Sequence, residues 1–198
     1  SNTAVGTCQT SGAWFDGATG KRNYSMDFDG TDDYISLGNP AMLDFSGEEP
    51  FSVAIWAKLA SDTDTTLMGQ WDAAANNASW RLVYLSSLDR FQFHISTDGT
   101  TGGEVAIACG ATGSVTPGSW YLITAKYQPT TDQMSCGLNG RAFETRVNAT
   151  NLFDSSANLL IGARTTIPAQ YFPGQLDDAR IFNYELTATQ AKSLYNEG

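Results

Sequence analysis

Phe172-Pro173-Gly174-Gln175-Leu176-Asp177-Asp178-Ala179-Arg180-Ile181-Phe182-Asn183-Tyr184-Glu185-Leu186-Thr187 decides the fold of this chain. Its first part reads as an extended strand that carries two adjacent carboxylates and then runs into a turn. Thr187-Ala188-Thr189-Gln190 follows with the spacing of a capping box, in which hydroxyl and amide satisfy each other's orphan backbone donors. Ala191, Leu194 and Tyr195 then recur at helical spacing, so a short last helix is predicted, with one apolar stripe laid on the body of the protein.

Upstream of that stretch the period is two. In Phe51-Ser52-Val53-Ala54-Ile55-Trp56-Ala57-Lys58-Leu59, one face carries Phe51, Val53, Ile55, Ala57 and Leu59, which specifies a strand with that face in the core. Strands are expected likewise at 66–70, 80–85, 91–96, 104–109, 120–127, 134–138, 158–162 and 175–182. Asp98-Gly99, Pro117-Gly118, Asn139-Gly140 and Pro173-Gly174 separate them as turns. Asn139-Gly140 is the strongest hairpin signal, since both residue types tolerate positive φ. Many short strands with turn-rich spacing give an all-β fold, a sandwich of two antiparallel sheets with a short C-terminal helix.

A chain of 198 residues, 41% of them hydrophobic, can bury a full core and is read as one domain over 23–198. Residues 1–22 are Gly/Ser/Thr-rich, with Trp14 and Phe15 as large anchors, and are expected to form a loosely held N-terminal arm. The net charge is −10, from 11 basic and 21 acidic residues. Such a surface repels nucleic-acid backbones and anionic lipid and suits a divalent cation or a neutral ligand. No apolar run approaches a membrane span, so no membrane insertion is expected, and a start without Met suggests a processed protein or an excised domain. Three cysteines, Cys8, Cys109 and Cys136, are too few for a disulfide scaffold or a zinc site. Cys109 and Cys136 fit either a disulfide or two buried thiols, and Cys8 is left over in the first case.

The order of these signals resembles a laminin-G-like, concanavalin-A-like jelly roll, the architecture that pentraxins share. The resemblance runs from Tyr24 to Asn196. It is carried by Asp27-Phe28-Asp29-Gly30 with Asp32-Asp33-Tyr34-Ile35, by the strand 51–57, by Ser119 to Tyr127, by Leu138-Asn139-Gly140, by Leu160-Ile161-Gly162 and by Gly174 to Phe182. It implies a jelly-roll sandwich and, for most members, a binding module that uses calcium and recognises carbohydrate or protein. Polysaccharide-active relatives carry a Glu-x-Asp-x-(x)-Glu run, which this sequence lacks; Glu48 and Glu49 are its only neighbouring glutamates. No catalytic residue is assigned, and a polysaccharide-cleaving enzyme is the least favoured reading.

The resemblance also implies a structural calcium ion that ties the first strand to the last, with Asp29 and Asp177 as ligands and carbonyls near Gly30 completing the shell. The alternative is that these aspartates are turn residues bonding backbone amides. Asp177 and Asp178 are expected on opposite faces, with Asp178 pairing to Arg180.

A ligand site is expected in a long loop from Gln70 to Trp80. Trp71 and Trp80 would offer rings to sugar C–H faces, while Asp72, Asn76 and Asn77 would read hydroxyls. The resemblance implies that such an edge loop can also carry a second calcium ion, and the alternative is that a tryptophan at a loop end is a lid on the core. His94, the only histidine, alternates with Phe91, Phe93 and Ile95; if its face is the concave one, it lines a groove with Gln92 and Arg81. A surface or satisfied histidine is the plainer alternative. Tyr171 belongs to a further polar-aromatic loop with Arg164, Gln170 and Phe172. Sequons stand at Asn23, Asn77 and Asn148. The expected function is a calcium-stabilised, lectin-like module for glycan or polysaccharide, extracellular or displayed on a cell or virion appendage, and able to form a homo-oligomer. A structural or adhesive module that binds a protein surface is the rival.

Overall fold

The computed structural model describes residues 7–8, 14–43, 45, 49–147, 151–164 and 170–197, with the side chains of 7–8, 14–19 and 23 left aside. Glu48, the Asn148 sequon, and the side chains of Cys8, Trp14 and Phe15 lie outside the described residues.

Among the described residues, two seven-stranded antiparallel sheets make the sandwich. In the first, the order is β1 (Thr7–Cys8), β4 (Ile35–Ser36), β13 (Leu160–Ile161), β6 (Thr65–Asp72), β7 (Asn77–Leu85), β8 (Arg90–Ser96) and β9 (Glu104–Cys109). In the second, it is β12 (Glu144–Arg146), β11 (Gln133–Leu138), β10 (Tyr121–Gln128), β5 (Phe51–Leu59), β14 (Pro173–Phe182), β3 (Asn23–Asp29) and β2 (Trp14–Gly20). The expected strand of 158–162 shortens to two residues. Within the stretch expected as an arm, β1 pairs with β4 and β2 pairs with β3.

The alternation of β5 is realised as written. Phe51, Val53, Ile55, Ala57 and Leu59 face the core between the sheets. Phe51 is its hub, stacked on Phe45 at 4.4 Å and tilted against Trp80 at 5.5 Å, which joins the two sheets through aromatic contact. The opposite face of β5 is buried too: Ala54 and Trp56 pack with Leu122, Leu186 and Leu194 beneath α1 (Ala188–Asn196). The Thr187–Gln190 capping box is present, and Tyr195 stacks on Trp56 at 5.6 Å. Ser52 fixes the approach to the helix, since its hydroxyl donates to the Tyr184 carbonyl and accepts from the Leu186 amide.

Asn139 and Gly140 turn with φ of 54° and 66°, and the Arg141 amide closes the turn on the Leu138 carbonyl. Glycine is required there twice over, because a Cβ at Gly140 would stand 2.8 Å from the Tyr195 Cβ. Cys109 on β9 and Cys136 on β11 form a disulfide that ties one sheet to the other, which settles the alternative left open by sequence. No helix among the described residues is long and apolar enough to cross a membrane.

Candidate functional site

The expected long loop of 70–80 is a hairpin. β6 and β7 stay paired as far as Asp72 and Asn77, and only Ala73–Ala75 turn between them. The physical reason is local: Asp72 caps the turn by accepting the Ala75 amide, and Asn76 takes the left-handed conformation (φ 53°) that closes it. Asn76 is therefore a turn residue. Asn77 braces a neighbouring segment, donating to Ser156 Oγ and accepting the Ser156 amide, both at 3.0 Å. Trp80 points into the core, fully buried, with its indole N–H on Gln70. Trp71 is also fully buried, so its ring is not an exposed sugar platform. Gln70 pairs with Trp80 and shares its face, so Trp71, the next residue on β6, stands on the opposite face with Gly69 and Arg81.

On that outer face the sheet assembles a polar cluster. The registers align Gly69, Arg81, His94 and Ala106 across β6, β7, β8 and β9. Gly69 makes room for the arginine, since a Cβ there would lie 2.7 Å from the Arg81 Cβ. The Arg81 guanidinium then sits 4.3 Å over the Trp71 ring. Its Nη2 donates to Glu104 Oε1 at 2.9 Å and its Nη1 to Gln170 Oε1 at 3.3 Å. Gln170 is held in place by its own backbone: its carbonyl accepts from the Thr66 amide. Beside it, the Tyr171 carbonyl accepts from the Thr65 hydroxyl, and the half-buried Tyr171 ring tilts against Tyr34.

His94 closes the network as a satisfied, buried histidine. Its Nδ1 bonds Glu104, and its Nε2 accepts from the Gln92 amide when the Gln92 oxygen faces Arg90. Burial, with the charge of Arg81, outweighs Glu104 and holds His94 below its ordinary value, so the ring is neutral. Burial works to raise the Glu104 carboxyl, but hydrogen bonds and charge from His94 and Arg81 overcome it and hold the carboxyl at about 2. With a neutral imidazole, the Arg81 ion pair is the part of that pull that persists. Sequence reasoning placed His94, Gln92 and Arg81 on one face, and they do converge. It missed Glu104 and Gln170, which reach the cluster only through strand pairing and the docking of the 170–172 segment on β6.

The expected calcium ligands do not come together. In the β3–β14 ladder Pro173 faces Asp29 and Leu176 faces Met26, so Asp177 lies four positions along the strand, roughly 13 Å from Asp29. Asp177 is buried and accepts the Arg22 amide at 2.7 Å. Asp178 is left-handed (φ 48°) at a bulge and pairs bidentately with Arg180, at 2.7 and 2.8 Å. Gly30, at φ 79°, ends β3 and turns the chain back. Around that corner Asp29, Asp32 and Asp33 bring carboxylate oxygens within 4.8 Å of one another. Asp29 Oδ1 caps the Thr31 amide at 2.7 Å, and Asp33 Oδ2 accepts the Asp29 amide at 3.1 Å.

A family model described as the concanavalin A-like lectin/glucanases superfamily matches residues 29–192. No curated protein matches the chain significantly. Among solved structures, the binding domain of Paraclostridial Mosquitocidal Protein 1 superposes with a TM-score of 0.75 at 14% identity, covering 98% of this chain and 47% of that one. The binding domain of botulinum neurotoxin serotype D gives 0.70 at 14%, covering 98% and 46%. A heptameric SAP-like pentraxin from Limulus polyphemus gives 0.61 at 14%, covering 85% and 80%. The chain thus spans about half the length of the toxin binding domains it matches. At these identities the shared property is the fold.

Proposed function

The chain belongs to the concanavalin A-like lectin/glucanases superfamily, and on that premise we propose that it is a non-catalytic recognition module for carbohydrate, supported by calcium. The coarser part of this reading, a binding module, follows from the family and from structural neighbours that are themselves binding domains. The single observation that carries the finer part is the outer-face cluster of Arg81, Gln92, His94 and Glu104 beside Trp71. Polar groups of that kind, fixed by one another on a rigid sheet, are what hydroxyl recognition requires. The cluster favours recognition over cleavage. Glu104 is engaged by Arg81 and His94 and held below its ordinary value by the Arg81 ion pair, away from the range of a general acid at neutral pH.

For calcium, the donor set at the end of β3 fits better than the one expected across the chain ends. Three carboxylates at Asp29, Asp32 and Asp33 form an all-oxygen set suited to a hard cation, and carbonyls and water would supply the rest of its roughly 6–8 ligands. A bound ion would also relieve the mutual repulsion of three adjacent negative charges. The buried disulfide supports an extracellular or surface-displayed setting.

The test is a broad panel of glycans and polysaccharides, run in calcium and again in chelator. Calcium-dependent binding to a related set of sugars is the expected result. Binding that survives chelation removes the metal from the reading. A blank panel from folded protein moves the assignment to a module that binds a protein surface.

A further inference from the structure

At the edge of the sandwich the chain forms a cavity of about 240 Å³. The Cys109–Cys136 disulfide helps to build it, because it draws Gly110, which follows β9, and Gly137 on β11 onto the same space. The β11–β12 ladder ends at Cys136 and Glu144, and past that pair Arg141 and Ala142 supply another wall. Gly110 is left-handed (φ 107°), and a Cβ there would stand 3.1 Å from Leu138 Cδ2, so the backbone demands a residue without a side chain. Leu138, 7% exposed, is the apolar part of the lining.

The rim carries one charge of each sign. Arg141 and Glu144 both line the cavity and both are exposed. Their side chains pair neither with each other nor with any other group among the described residues. A shortage of carboxylates does not explain the free guanidinium, since the chain has 21 acidic residues to 11 basic ones. An anion in this cavity would be repelled by Glu144, and a cation by Arg141. A neutral ligand would take water from both charges and return no counter-charge. One molecule that carries a carboxylate and an ammonium satisfies both rims at once. Drug-sized ligands occupy roughly 300–1,000 Å³, so the volume here selects something smaller.

We infer that this cavity binds a free α-amino acid, with its carboxylate on Arg141, its ammonium on Glu144 and its side chain over Leu138. The guanidinium fork offers the carboxylate two parallel donors, and the Glu144 carboxylate, an acceptor only, takes the ammonium protons. The cavity shares no residue with the cluster of Arg81, Gln92, His94 and Glu104, so it is a second site beyond the saccharide reading and is tested separately from it.

The test follows the backbone amide resonances of Gly110 and Gly137 by protein NMR while L-alanine, L-valine and L-glutamine are added singly at constant ionic strength. The best of them is then compared with its amide, which keeps only the ammonium, and its N-acetyl form, which keeps only the carboxylate. The expected result is a saturable shift of both glycines, weakened about ten-fold or more in either singly charged form, the worth of one charge-assisted hydrogen bond. Arg141→Gln and Glu144→Gln should each weaken it by a similar factor; both side chains are exposed, so the rest of the spectrum keeps its folded dispersion. Glycine resonances unmoved by all three amino acids overturn the inference. An equal response to the amino acid and its singly charged forms overturns the zwitterion assignment, and so does binding unchanged in both variants. A positive titration beside a blank glycan panel upholds this site and overturns the saccharide reading alone.

Discussion

Removing the Cys109–Cys136 disulfide tests how the sandwich is held closed. The bond joins β9 at the edge of one sheet to β11 near the edge of the other, and it closes a loop of 27 residues. In the chain-entropy account, cutting it returns about 2.1 plus 1.5R ln 27 to the unfolded chain, roughly 12 cal/mol/K or about 3.5 kcal/mol at 25 °C. Both cysteines are fully buried in the main core, so Cys109→Ala/Cys136→Ala adds only the small loss of two sulfur atoms. In a domain of this size each kcal/mol moves Tm by about 2–4 °C, so a fall of roughly 7–14 °C is expected. Urea denaturation of three samples separates the contributions: oxidised protein, the same protein reduced, and the double variant. Reduced protein and variant should agree within about 1 kcal/mol. Both should show a larger m-value than the oxidised protein, because an uncrosslinked unfolded chain exposes more surface. A loss below about 1 kcal/mol with m unchanged would refute the reasoning and show that core packing alone fixes the two edges.

Trp71→Ala should cost about 3–5 kcal/mol, since the ring is fully buried under Arg81, whereas Trp71→Phe should cost far less; a neutral Trp71→Ala in thermal melts would return the ring to the surface. Asp177→Ala should lower stability by about 1–3 kcal/mol equally in calcium and in chelator, because its carboxylate serves the Arg22 amide. Asp32→Asn should lower Tm only in calcium, and the reverse pattern in the two variants would restore Asp177 as a metal ligand. Acid should destabilise the protein in two stages. His94 has a lowered folded value, so the unfolded chain binds the extra proton first, and stability falls as pH drops below about 6.5. Glu104, held at about 2 against an ordinary 4.5, loses its contribution as pH falls between those values. Urea midpoints measured from pH 7 to 5 should fall in the natural protein and stay flatter in His94→Gln; identical slopes would remove His94 from the account.

The sequence by itself determined the layers. Period-two alternation in Phe51 to Leu59 fixes which side chains meet between the sheets, because burial of an apolar face is a local property of a strand. Capping chemistry at Thr187 and Gln190, and positive φ at Asn139 and Gly140, likewise depend on residues within a few positions of one another. The charge pairing of Asp178 with Arg180 was legible for the same reason, although a bulge and not simple alternation delivers it. The outer-face triad of Arg81, Gln92 and His94 was half legible: its face could be read, its partners could not. Glu104 and Gln170 stand 10 and 76 positions from His94 along the chain, and only the ladder of β8 with β9 and the docking of 170–172 on β6 bring them in. Composition misled most in 70–80, where tryptophan, aspartate and asparagine look like a binding loop. The pairing of Gln70 with Trp80 turns Trp80 into the core and, by alternation, Trp71 under Arg81, and a capped turn uses up Asp72 and Asn76. The tertiary structure also decided that Asp29 belongs with Asp32 and Asp33, not with Asp177. Two strands can be known to pair from their patterns, but the register that sets four residues of offset between two carboxylates arises from packing across the whole sandwich.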